Sequence, residues 1–261
     1  MRVNFNMQQI FAPITSNTEV MSGVNLMWIE APDIAIAAQP GQFITVQCRD
    51  LILRRPFSIH QVVSNQIVIL FKAVGEGTLW LSQRQRGDKI DVLGPLGKGF
   101  SIESSSKNLL LMAGGIGIAP LTFLAQRASS QYSITLIHGA STAAQLYERS
   151  LPSEVRFIPV TEDGSMGEKG MVTDILPDFL GWADQIYACG PIGMYKAMST
   201  MSLRAERSNL KKCQVSLEVR MGCGIGACYS CTINTKKGLK RVCRDGPVFE
   251  LGDVIWQEVR I

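Results

Sequence analysis

The sequence predicts a multi-domain α+β protein with a small β-barrel, an α/β domain built on a parallel sheet, and a small C-terminal module. Three observations carry this reading. Residues 1–103 read as short strands separated by Gly, Pro and Asn turns, the pattern of a small barrel. Residues 104–209 alternate strand-like and helix-like segments, which implies parallel strands joined by helical crossovers. Residues 210–261 abandon that alternation and carry a cluster of cysteines: Cys223, Cys228, Cys231 and Cys243.

The barrel segment is read from its turns. GQFITVQC (Gly41–Cys48) is one strand and FSIHQVV (Phe57–Val63) the next. QIVILFKAV (Gln66–Val74) follows a tight Ser-Asn turn, and a short strand over Asp88–Leu93 ends at GPLGKG. Between them, LWLSQRQ reads as a helix opened by GEGT (Gly75–Thr78). A polar run, Ser104–Ser106, marks the boundary. Beyond it come strand NLLLMAG and helix PLTFLAQRAS, strand SITLIHGA and helix TAAQLYER, strand VRFIPVTED and helix MVTDILPDFL. Strand QIYACGP and a closing helix, IGMYKAMSTMSLRAER, complete the alternation. VFELGDVIW near the end reads as a short strand or hairpin.

Composition narrows the function classes. Hydrophobic residues make up 46% and charged residues 18% of the 261, an ordinary globular balance. A net charge of +4, sparse aromatics and no interleaving of aromatics with Lys or Arg argue against a nucleic-acid platform. The opening MRVNFNMQQI lacks the apolar stretch of an export signal. Asn108–Gln126 carries no charge, but three glycines and a proline break it, so a strand, a turn and a helix start fit better than a membrane span. The expected location is cytoplasmic, with no membrane partner. In such a reducing setting, seven cysteines point to metal binding or redox chemistry rather than disulfides.

The spacing Cys223-x4-Cys228-x2-Cys231-x11-Cys243 is that of a plant-type [2Fe–2S] site, in which four thiolates hold two irons. Gly222, Gly224 and Gly226 let the backbone close around inorganic sulfide. A structural zinc site is the alternative, although zinc sites usually pair two short knuckles. Cys48 and Cys213 read as ordinary buried thiols.

Two further signals are weaker alone. In RRPFSI (Arg54–Ile59), Arg55 can pair with a pyrophosphate and Ser58 can hydrogen-bond a heterocycle edge. GEGT is a phosphate cradle or a simple helix cap. AGGIGIAP (Ala113–Pro120) follows a strand and opens a helix, so Gly114, Gly115 and Gly117 can admit a dinucleotide pyrophosphate. YACGP repeats this logic at a later strand end, where Cys189, Gly190 and Pro191 meet a nicotinamide, or where Cys189 is merely a buried small residue. His60 and His138 lie within strands with no nucleophile nearby, so a histidine-based hydrolase has no support.

Taken in order, R-P-F-S and G-x-G-T on a barrel, then G-G-I-G and C-G-P on an α/β domain, resemble the ferredoxin–NADP reductase superfamily over residues 5–205. LEVRMGCGIGACYSC followed by RVCRDGPVF resembles, more narrowly, the electron transfer subunits of NAD-dependent dihydroorotate dehydrogenase B. That resemblance implies an oxidoreductase subunit with FAD held by Arg55, Pro56, Phe57, Ser58, Leu70, Phe71, Lys72, Gly77 and Thr78. It implies NAD+ or NADH at Gly114, Gly115, Gly117, Cys189, Gly190 and Pro191, and a [2Fe–2S] cluster on the four cysteines. The implied units are 1–103 for FAD, 104–209 for NAD and 210–261 for the cluster. The implied partner is an FMN-containing catalytic subunit in a heterotetramer of two of each, whose electrons pass singly through the cluster to FAD and leave as a hydride to NAD+. No Arg stands close after SITLIHGA, which leans toward NAD over NADP. Lys236, Lys237, Lys240, Arg241 and Arg244 are candidates to meet the partner, or simply a solvated basic loop. Two rivals remain: a reductase subunit of a hydrogenase or ferredoxin:NAD(P)+ oxidoreductase complex, and a zinc-stabilised interaction module that is not an enzyme.

Overall fold

Strands with alternating inward and outward side chains build the first unit. In a computed structural model, which describes residues 7–204 and 212–259, β1 (Gln8–Met21) and β2 (Val24–Glu30) form a long hairpin. They are followed by β3 (Phe43–Gln47), β4 (Arg55–Val63), β5 (Gln66–Lys72) and β6 (Lys89–Leu96). The six close into a barrel in the order β1-β2-β5-β4-β3-β6, with every pair antiparallel. Closure removes free sheet edges. Met27, Ile29, Ile67 and Ile69 fill the interior together with Ile34 of α1 (Pro32–Ala37). The alternate residues Val24, Leu26 and Leu70 pack outward onto the next unit. The tight Ser-Asn turn between β4 and β5 is present, with Ser64 in the left-handed region at φ 53°. A short helix, α2 (Glu76–Ser82), follows β5.

The second unit runs β7 (Asn108–Gly114), α3 (Ile118–Ala128), β8 (Ser133–Ala140), β9 (Arg156–Thr161), β10 (Glu168–Lys169), β11 (Gln185–Cys189), α4 (Ile192–Arg204) and β12 (Cys213–Ser216). The last described stretch adds β13 (Thr232–Thr235), β14 (Gly238–Arg241), α5 (Val242–Asp245) and β15 (Val248–Glu250). The sheet order is β10-β9-β8-β7-β11-β12-β15, parallel throughout except for the antiparallel edge pair β12–β15. Helices cover both faces, as the alternation implies. Leu109 and Leu111 of β7 pack with Leu121 and Leu124 of α3. Leu110 and Met112 pack with Tyr195 and Met198 of α4. Two strands of the C-terminal stretch thus extend the α/β sheet. The uncharged segment Asn108–Gln126 divides into β7, a glycine turn and α3, and among the described residues no helix is long and apolar enough to cross a membrane.

Two predicted helices are not helices. In TAAQLYER only Ala143–Gln145 forms a single 3-10 turn. The Tyr147 N–H donates to His138 Nδ1 (3.4 Å) and its ring is buried against His60, which draws the chain inward and ends the ladder. In MVTDILPDFL, Pro177 withholds an N–H and only a 3-10 turn, Leu176–Phe179, remains. The Ser104–Ser106 run is tied down: Glu103 N–H and Ser106 Oγ both donate to Gln185 Oε1. The end of the closing helix, residues 205–207, and the 209/210 boundary lie outside the described residues.

Helix α3 joins the two units. Phe123 inserts into the barrel core, His60 Nδ1 donates to the Ala119 carbonyl (3.1 Å), and Gln126 Nε2 donates to Gln61 Oε1 (2.8 Å). This joint sets the glycine turn of the sheet beside the open flank of β4 and β5.

Candidate functional site

The flank of β4 and β5 is one wall of a cavity of about 740 Å³, the size range of a cofactor site. Arg55, Pro56, Phe57, Ser58, Leu70, Phe71 and Lys72 all line it. The two neighbouring arginines divide their work. Arg54 is engaged by Asp91, while Arg55 lies on the cavity rim and donates to the Leu53 carbonyl (2.8 Å). Gly77 and Thr78 are not among the lining residues. Gly77 instead gives Arg55 its room: a Cβ there would stand 3.1 Å from Arg55 Nε. Thr78 Oγ1 accepts the N–H groups of Val74 and Gly75 (2.9 and 3.1 Å), so the hydroxyl closes the turn before α2. Apolar walls with a cationic rim suit a planar heterocycle that carries a pyrophosphate.

A second cavity, of about 880 Å³, lies over the C-terminal ends of the parallel strands, where α/β sheets bind ligands. Gly114, Gly115, Gly117, Gly190 and Pro191 line it. The turn is pressed onto the tip of β11. A Cβ on Gly117 would lie 2.1 Å from the Cys189 carbonyl oxygen, so only glycine permits this crossing. Cys189 itself is 1% exposed and lines neither cavity. Its thiol lies in the core beside Tyr195, and burial pushes it well above the usual thiol range. Tyr195 OH accepts the Gly190 N–H (2.8 Å) and donates to the Ser216 carbonyl (2.6 Å), fixing the loop after β11.

The two cavities meet. Ile116 and Glu218 line both. Glu218 is accessible from this junction, yet protein surrounds it closely enough that desolvation raises its carboxyl above the usual range. At the far end of the second cavity stands Glu162, whose carboxylate accepts from Ser141 Oγ (3.0 Å). Sequence reasoning assigned neither glutamate a role. Both follow the last residue of a parallel strand by one or two positions, and that placement was the available signal.

Ser216 to Met221 forms the remaining wall of the first cavity, and Cys223 comes two residues later. The four thiols stand as two pairs. Cys223 and Cys228 exchange contacts: Cys223 N–H approaches Cys228 Sγ, and Cys228 N–H approaches Cys223 Sγ, both at 3.4 Å. Cys231 and Cys243 bring their sulfurs within 3.2 Å, and Cys243 N–H points at Cys231 Sγ. Ala227 N–H adds a contact to Cys223 Sγ at 3.2 Å. Hydrogen bonds from Ser230 and from backbone N–H groups lower the Cys228 thiol to about 6, close to the thiolate that a metal needs. Four sulfurs in two pairs, with N–H donors aimed at them, fit a two-iron cluster with one pair for each iron. Gly226, at φ 83°, makes the turn between the first two ligands, and a Cβ there would strike Arg244 at 2.7 Å. Cys48 and Cys213 are fully buried, as expected of ordinary core thiols.

Comparison with known proteins agrees with this layout. Residues 218–255 match the model of the iron-sulfur cluster binding domain of dihydroorotate dehydrogenase B. Residues 111–200 match the oxidoreductase NAD-binding domain. The dihydroorotate dehydrogenase B (NAD(+)) electron transfer subunit of Desulforamulus reducens is 40% identical, covering 88% of this chain and 92% of that protein. This chain belongs to that family of electron transfer subunits. The corresponding subunit from Caldanaerobacter subterraneus subsp. tengcongensis is 38% identical, over 94% of this chain and 98% of the relative. Among solved structures, an NADH-dependent reduced ferredoxin-NADP oxidoreductase studied for flavin-based electron bifurcation superposes with a TM-score of 0.84. It is 30% identical and covers 95% of this chain and 91% of its own. A ferredoxin NADP+ reductase from Neisseria gonorrhoeae shares the fold at a TM-score of 0.64 and 17% identity, over 80% of this chain and 98% of its own.

Proposed function

We propose that the chain is the electron transfer subunit of an NAD-dependent dihydroorotate dehydrogenase, an oxidoreductase subunit that carries FAD and a [2Fe–2S] cluster and delivers electrons to NAD+. The observation that carries this reading is the continuity of Ser216–Cys223. One short stretch walls the first cavity, reaches the second at Glu218 and ends on a cluster ligand. Three redox stations thereby share one segment of chain. When bound, the cluster and FAD supply the conversion between single-electron and two-electron transfer.

The chain's own residues hold and orient these groups. Arg55 offers its guanidinium to the flavin pyrophosphate, and Ser58 offers a hydroxyl to the ring edge. Pro56, Phe57, Leu70, Phe71 and Lys72 form the slot, with Gly77 and Thr78 shaping the seat of Arg55. The Gly114–Gly117 turn receives the NAD pyrophosphate at the N-terminus of α3. The nicotinamide end then lies toward Gly190, Pro191 and Glu218, and the adenosine end toward Ser141 and Glu162. Cys189 supports this loop from beneath. Cys223, Cys228, Cys231 and Cys243 hold the cluster. Functionally the chain divides into 1–103 for flavin, 104–209 for nucleotide and 210–261 for the cluster.

The electron donor is a separate FMN-containing catalytic subunit, assembled as two copies of each chain. Among the basic residues after the ligand loop, Arg244 packs against Gly226 of the loop and, with Lys240 and with Lys236 at the tip of the β13–β14 hairpin, is the cationic surface that meets it; Lys237 is already paired with Asp253 (2.6 Å). The second reading, a subunit of a ferredoxin:NAD(P)+ oxidoreductase complex, draws on the 30% identical structure. Anaerobic reconstitution with a dihydroorotate-oxidising FMN subunit separates the two. The first reading expects a stable complex that reduces NAD+ on addition of dihydroorotate. A chain that reduces NAD+ only from reduced ferredoxin would establish the second.

A further inference from the structure

The basic segment after the ligand loop is not a uniform solvated patch. Arg241 folds back onto the loop. Its Nη1 donates to the Gly226 carbonyl (3.0 Å), and its guanidinium carbon lies 4.9 Å from the centre of the Tyr229 ring. Its Nε approaches Asp245 Oδ2 (3.4 Å), and its backbone N–H donates to the same oxygen (2.9 Å). The two side chains are 19% and 25% exposed, so the pair is only partly screened. Arg241 and Asp245 bracket α5, which carries Cys243. Gly226 lies between Cys223 and Cys228, and Tyr229 holds a left-handed backbone at φ 60° between Cys228 and Cys231. One arginine therefore fastens the segment bearing three ligands to the short helix bearing the fourth.

We propose that Arg241 and Asp245 act as a pair of positioning residues that hold the exposed ligand loop onto α5 and set the reduction potential of the bound cluster by their opposed charges. The proposal rests on the [2Fe–2S] reading above. The physical argument concerns sign. Reduction adds one negative charge to the cluster. A fixed cation at the loop favours the reduced state, and a fixed anion beside the fourth ligand disfavours it. Both substitutions loosen the Arg241–Asp245 contact, and Arg241→Gln also loses the contacts to Gly226 and Tyr229, so a purely structural role shifts the potential in one direction, more for Arg241 than for Asp245. A charge role moves them in opposite directions.

The test is an EPR-monitored redox titration of the full chain with its cofactors, comparing wild type, Arg241→Gln, Arg241→Lys and Asp245→Asn. Arg241→Gln is expected to weaken the reduced state about tenfold, 59 mV for a one-electron couple. Asp245→Asn is expected to strengthen it by a similar factor, and Arg241→Lys to stay near wild type. Iron content is measured alongside. If Arg241→Gln fails to retain two irons, the opposite shift in Asp245→Asn and the near-native potential of Arg241→Lys carry the test. Unchanged potentials, or Arg241→Gln and Asp245→Asn shifting in the same direction, would overturn the proposal. A wild-type chain with no reducible two-iron signal would refute the cofactor reading instead.

Discussion

Replacing Gly117 by Ala tests the geometry that joins nucleotide and flavin. The added Cβ would lie 2.1 Å from the Cys189 carbonyl oxygen, 2.5 Å from its carbon and 2.9 Å from the Gly190 nitrogen. Ordinary contact begins near 3.4 Å, so the turn and the tip of β11 must separate by more than 1 Å. All three obstacles are backbone, and no side-chain rotation relieves them. Overpacking of this kind costs about 1–3 kcal/mol or more, a fall in Tm of roughly 2–4 °C per kcal/mol for a chain near this size. The displaced loop carries Gly190 and Pro191, so NADH binding should weaken at least tenfold. Isothermal titration with NADH and a thermal melt read the two effects separately. Gly193→Ala is the control. It sits in the first turn of α4 with nothing within 4 Å of its Cβ and serves for the melt alone, because it lines the second cavity; it should melt at or slightly above wild type, since alanine is the better helix former. A Gly117→Ala protein that binds NADH and melts like wild type would refute the close crossing.

Other residues give independent tests. Arg55→Ala removes the cationic rim of the first cavity and should weaken FAD retention by about 10–100-fold, the range for a charged hydrogen bond; flavin content after gel filtration reads it. Glu162→Arg replaces the carboxylate that we assign to the adenosine end of the second cavity with a cation suited to a 2′-phosphate. It should shift the ratio of NADH to NADPH turnover with ferricyanide by at least tenfold toward NADPH, with an unchanged ratio as the refuting result. Burial lowers His60 and His138 from 6.5 to about 4. Below 6.5 the unfolded chain binds protons that the folded chain refuses, so this stability is complete above about 6.5 and is lost as pH falls toward 4. Near pH 5 each histidine differs by just under one proton between the two states, so the two together contribute a slope of about 2.4 kcal/mol per pH unit. Denaturant melts across that window should show it, and either histidine changed to Gln should remove about half.

Much of the architecture was legible because hydrophobic spacing differs between strands and helices. Phe57–Val63 and Gln66–Lys72 show β patterning around a two-residue turn, and NLLLMAG before a glycine turn announces a parallel strand. The cysteine spacing named the cluster because ligand positions lie close in sequence. Long-range packing was not legible. TAAQLYER has helical periodicity, but the Tyr147 ring is buried against His60, which is remote in sequence, while its N–H donates to His138. β12 is four residues long and gains its place from β11 and β15 on either side. Glu218 acquires importance only where two cavities from different units meet. Arg241 looks like one basic residue among five until the fold turns it onto Gly226.

The central claim is that electrons reach FAD through the cluster. The most direct test is Cys228→Ala in the complex with the catalytic subunit, assayed two ways. NADH oxidation by ferricyanide needs only FAD and the nucleotide site, and should stay within about twofold of wild type. Dihydroorotate-driven reduction of NAD+ must cross the cluster, and should fall at least 100-fold. A variant that lacks its cluster yet still reduces NAD+ from dihydroorotate at the wild-type rate would contradict the account.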